Sequence, residues 1–99
     1  MEVKEFQKLS AGMVDRIDRK LGVERDGHLN LAQLFEELGE LTRVVNAKRL
    51  KRREPGGEEL EGEFADVFLQ LARLAELLGV DLEKAVLDKV EVLKKRHGL

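Results

Sequence analysis

Ninety-nine residues leave room for one hydrophobic core, and so for a single domain over residues 1–99. The chain is 42% hydrophobic, 38% charged and 4% aromatic, with one proline and no cysteine, which argues against disorder and excludes disulfides and thiolate metal sites. Its 18 Lys and Arg stand against 20 Asp and Glu, a net charge of −2 that gives no broad attraction to nucleic acid or acidic membrane, and no apolar run approaches the roughly 20 residues that span a bilayer. The opening MEVKEFQKL has neither a basic nor an apolar leader segment, so a cytoplasmic protein is expected.

The first predicted helix, Met1 to Leu21, carries Val3, Phe6, Leu9, Met13, Val14, Ile17 and Leu21 at steps of three and four and stops at Gly22. Residues 23–28 read as a polar connection. Asn30, with Gln33 three positions later, has the spacing of a capping box for a second helix, flanked by Leu29 and Leu34 as a hydrophobic staple. Leu31, Leu34, Phe35, Leu38, Leu41 and Val45 form its stripe, and Pro55-Gly56-Gly57 must break it. A third helix is expected from about Glu58 to Leu78, with Leu60, Phe64, Val67, Phe68, Leu71, Leu74, Ala75 and Leu78 as its stripe. Asp81 then caps a fourth, running to His97 before Gly98. No strand-like alternation occurs. The expected fold is all-α, an antiparallel four-helix bundle that oligomerises to complete its core, because four short helices bury little apolar area. Leu50, Leu69 and Leu77 lie off the stripes and are candidates for a subunit contact.

The acids are grouped. Glu36-Glu37-Leu38-Gly39-Glu40 and Glu63-Phe64-Ala65-Asp66 place carboxylates three or four apart, on one face of each helix, where they repel. On a helical wheel Glu37 and Glu40 fall about 100° and 160° to one side of Leu38, and Glu63 and Asp66 about 80° and 140° to the same side of Leu71. In an antiparallel hairpin a shared offset turns both acidic flanks into one groove. Glu37, Glu40, Glu63 and Asp66 would converge there, and such a group calls for a hard divalent cation, Mg²⁺ or Mn²⁺. Levelling the two pairs sets the hairpin apex near residues 51 and 52, so the second helix should end near Lys48. The cations Lys48, Arg49, Lys51, Arg52 and Arg53 then read as a solvated helix end, favourable to its dipole, with nucleic-acid binding not expected. Neither histidine stands three residues after a glutamate, so the ExxH ligand pattern of di-iron bundles is missing.

The segments LNLAQLFEELGELTRVV and LEGEFADVFLQLARLAELLGVDLEKAVLDKVE resemble the MazG-like all-α nucleoside triphosphate pyrophosphohydrolases, whose signature is EExxE followed after a variable gap by ExxD. Here 22 residues separate Glu40 from Glu63. The resemblance implies a homodimer or homotetramer that hydrolyses nucleoside triphosphates, with Glu37, Glu40, Glu63 and Asp66 as Mg²⁺ ligands. It also implies Glu36 as the catalytic group that orients or deprotonates water, and Lys89 reaching substrate phosphates. With no Trp or Tyr in the chain, base stacking is left to Phe6, Phe35, Phe64, Phe68 or a histidine; helical spacing assigns the phenylalanines to the core, and Phe68, at the stripe edge two residues after Asp66, is the candidate base contact. Leu93 stands where family members often carry an asparagine. Together with the scarce aromatics, it leaves a non-catalytic helical interaction module as the alternative.

Overall fold

Chemistry at the helix ends sets the element boundaries. In the computed structural model, which describes all 99 residues, α1 spans Val3–Leu21, α2 Gly27–Asn46, α3 Gly57–Leu77 and α4 Leu82–His97, and there are no strands. Gly22 closes α1 at φ 70°, with its N–H and that of Val23 returning to the Arg19 and Asp18 carbonyls. An L side chain in that left-handed conformation costs about 1–2 kcal/mol, so a glycine stop is the cheap solution. Asp81 caps α4 as expected, accepting the Lys84 N–H at 3.2 Å.

The second helix begins a turn earlier than the sequence predicts. Its N-cap is Asp26, whose Oδ1 accepts the Leu29 N–H at 2.8 Å. Asn30, expected as the cap, lies inside the helix and is fully buried, and its Nδ2 donates to the Gln70 carbonyl of α3 at 2.8 Å. His28 consequently sits in the first turn of α2 instead of a loop. At the other end α2 stops at Asn46, ahead of the basic run and close to the end that converging acids require. The turn that follows is held by Leu50 and Arg52 donating to the Asn46 and Ala47 carbonyls. It places Lys51 at φ 58°, a conformation more often given to glycine.

The three longer helices form a layer with α3 in the middle. Ala72 and Ala75 of α3 are buried together with Ala11 and Val14 of α1, Val44 of α2 and Ala47 just beyond it, and α3 packs extensively on both neighbours. Polar ties fix α1 to α3. Arg73 reaches Asp15 at 3.3 Å. Buried Gln7 donates to the Glu76 carboxylate and to the Val80 carbonyl, and accepts the Leu82 N–H at 2.8 Å, fastening α1 to the α3–α4 turn. Beyond that junction α4 packs mainly on α1 and buries no residue of its own.

One chain therefore leaves its apolar stripes open. Phe6, Leu9, Met13 and Ile17 of α1, Phe35 of α2, Phe64 of α3, and Val90 and Leu93 of α4 are each more than a third exposed. The radius of gyration is 16.1 Å, against about 13 Å for a compact chain of this length. Of the three off-stripe leucines, Leu50 is exposed, while Leu69 and Leu77 are half-buried against their neighbours.

Candidate metal centre

The Asn30–Gln70 hydrogen bond sets the level at which α2 and α3 run past each other in opposite directions. Two turns further along α2, that register brings Glu37 opposite Glu63 and Asp66. A carboxylate oxygen from each of the three lies within 4.8 Å of the others. Glu37 and Glu63 are half-buried and Asp66 is exposed, so the cluster sits at the edge of the helix layer.

Its electrostatics are unfavourable as they stand. Burial pushes the Glu37 carboxyl above the usual glutamate range, and the charges of Asp66, Glu63, Glu40 and Glu36 push it the same way. Glu63 Oε2 is buried with no hydrogen-bond partner. An unpartnered buried carboxylate oxygen, two more oxygens within reach, and no sulfur or imidazole among them match the donor set of a hard divalent cation. The residues present fit Mg²⁺ or Mn²⁺.

The other expected site residues are placed differently. Glu40 is one turn along α2 from Glu37, close enough for its charge to act on that carboxyl, but its own carboxylate is paired with Arg43. Glu36 is exposed beside Glu37. Lys89 is exposed on α4, away from the helices that carry the acids. Phe68 stacks on Phe6 with ring centroids 5.0 Å apart, in an apolar groove between α1 and α3.

Next to the acids lies a polar network that sequence reading misses. Arg25 donates from Nε and Nη2 to the two Asp18 oxygens at 2.6 and 2.9 Å, and from Nη1 to Gln70 Oε1 at 3.1 Å. The paired side chains are only 4% and 8% exposed. Those hydrogen bonds hold the Asp18 carboxyl below the usual aspartate range. Asn30 and Gln33 belong to the same region, yet their spacing reads locally as a capping box. The available signal is that Gln33 stands four residues before Glu37, and therefore on its face of α2.

A model of the MazG nucleotide pyrophosphohydrolase domain matches residues 25–98, which include α2, α3, α4 and both acidic motifs. The chain is similar to the uncharacterized protein YpjD of Bacillus subtilis (strain 168), at 36% identity over 76 residues, covering 70% of this chain and 68% of that one. No solved structure matches it. With the family match running through nearly everything after α1, the chain belongs to the MazG nucleotide pyrophosphohydrolase domain family.

Proposed function

We propose that the protein hydrolyses nucleoside or deoxynucleoside triphosphates between the α and β phosphates, releasing the monophosphate and pyrophosphate in a Mg²⁺-dependent reaction. The observation that carries this reading is the Glu37, Glu63 and Asp66 cluster, with its unpartnered buried oxygen, in a chain of this family. Those three residues would hold the cation. Glu40 is the fourth ligand in the proposal, since an exposed pair such as Glu40–Arg43 contributes only about 0–1 kcal/mol and yields readily to a divalent ion. Bound Mg²⁺ (or Mn²⁺) neutralises phosphate charge and lowers the pKa of a coordinated water.

The chain's own groups do the rest. Glu36, exposed beside the cluster, takes the proton from the attacking water. The water oxygen bonds to the α phosphorus as the bond to the α–β bridging oxygen breaks, and pyrophosphate leaves with that electron pair. Lys89 is assigned to the phosphate oxygens; Phe68, already stacked on Phe6 in the groove between α1 and α3, is given no nucleoside contact. Because α4 leans on α1 and buries nothing, Lys89 would serve the acids of a second copy, in a homodimer or homotetramer that also covers the open stripes. A nucleoside triphosphate substrate would be met in the cytoplasm, and no helix is long and apolar enough to cross a membrane.

The test is incubation with the ribo- and deoxyribonucleoside triphosphates and Mg²⁺, assaying pyrophosphate. Release from at least one, abolished by chelation, is expected. A flat panel with no Mg²⁺-dependent rise in melting temperature overturns the reading and leaves a helical interaction module.

A further inference from the structure

A cavity of about 230 Å³ opens between α1, α2 and α3, and Glu37 and Asp66 are part of its lining, so it is continuous with the acidic cluster. Gln33, one turn before Glu37 on α2, and Gln70, one turn after Asp66 on α3, line it as well. Val14, Ile17 and Leu69 supply apolar wall. Apolar side chains with a few fixed polar groups suit an organic ring better than a hydrated ion.

The polar groups differ in what they have left to offer. Arg25 is held by both oxygens of Asp18 and by Gln70 Oε1, so its charge is neutralised and each of its three nitrogens already donates one hydrogen bond. No free cation faces the cavity to hold phosphate. Gln33 is the exception among these groups, because its Oε1 is buried and has no partner. A buried acceptor left unsatisfied is costly, and the atom that relieves it is an N–H of a ligand. Gln33 and the acids are one helical turn apart, about 5 Å along the axis. A ribose spans a comparable gap between a base and its α phosphate.

We propose that this cavity takes the nucleobase, with the phosphates at the acids, and that Gln33 determines specificity by accepting an N–H from the base edge. The amide also carries a donor beside its acceptor, the combination with which Gln reads adenine in other settings. This inference rests on the nucleotide hydrolase function above and names the residue that selects among its substrates.

The experiment compares kcat/KM across the triphosphate panel for wild type, Gln33→Leu and Gln33→Glu, each checked for folding by circular dichroism. Wild type should discriminate among bases, and Gln33→Leu should compress the spread between best and worst base by about tenfold or more. If the leucine variant fails to fold, Gln33→Glu decides. It keeps the size of the side chain but replaces the amide donor with a second oxygen, and should reorder the base preference. A wild type indifferent to base, or folded variants that keep its order and spread within about twofold, overturn the inference alone. Wild-type protein that turns over no triphosphate overturns the hydrolase function, and the inference with it.

Discussion

Glu37 concentrates the electrostatic conflict of the site. Its carboxyl is raised first by burial and then by four neighbouring acids, so the folded state favours its protonated form. A raised folded pKa gives stability that is complete at low pH and is lost as the pH rises through the raised value. Metal-free protein should therefore melt lower at pH 8 than near pH 5 on account of this group. Glu37→Gln should raise the metal-free melting temperature at pH 8 and remove the response to Mg²⁺. Wild type at about a hundred times the Mg²⁺ dissociation constant should gain about 2.7 kcal/mol. Calorimetry with chelator or Mg²⁺ checks both, and a Glu37→Gln protein that keeps the wild-type Mg²⁺ shift contradicts this account. The meeting of Glu37, Glu63 and Asp66 was legible in helical-wheel arithmetic, because a shared offset on two antiparallel helices has one geometric outcome. The pairing of Glu40 with Arg43 was not, since a wheel gives direction and says nothing of which neighbour a long side chain chooses. Gln33 is hidden for a related reason: its local spacing matches a cap and conceals its tertiary place.

At the scale of elements, the Arg25–Asp18 pair ties the last turn of α1 to the connection before α2 and, through Gln70, to α3. Removing one partner of a pair this buried leaves the other charge uncompensated, which typically costs about 3–5 kcal/mol. Arg25→Leu should accordingly lower the melting temperature by more than about 10 °C in a domain of this size, and thermal denaturation reads it directly. The pH dependence has a definite sign. Arg25 holds the Asp18 carboxyl low, so its contribution is complete above the ordinary aspartate pKa of about 3.9 and disappears as the pH falls through the lowered value. Arg25→Leu should lose that acid-side dependence, and an unchanged acid titration of stability would count against the pair. The elements themselves were largely legible, since Gly22, Asp81 and Gly98 end or begin helices by local chemistry. The start of α2 was not. Asp26 and Asn30 both suit a cap, and what separates them is the α3 backbone that claims Asn30, a contact distant in sequence.

For the whole molecule, the open apolar stripes and the unburied α4 argue for assembly. A helix of 16 residues with no buried side chain has little to hold it folded, because isolated helices of that length are marginal in water. Light scattering at micromolar concentration should give a mass of at least two chains, and Val90→Asp on the exposed face of α4 should shift it towards one. A monomer mass for wild type refutes the assembly. Periodicity made the stripes legible, but not what covers them, because intra-chain and inter-chain contacts call for the same residues. The turn between Asn46 and Gly57 bears on how such a chain can change by descent. The acids meet in mid-helix and the turn lies beyond them, so residues can be gained or lost there without displacing a carboxylate. One residue inserted between Glu40 and Val44 would instead set the acids about 100° out of phase with Val44 and Ala47, the buried contacts beyond them. Inheritance can change the length of the turn freely, and the length of the helical stretch that joins it to the acids hardly at all.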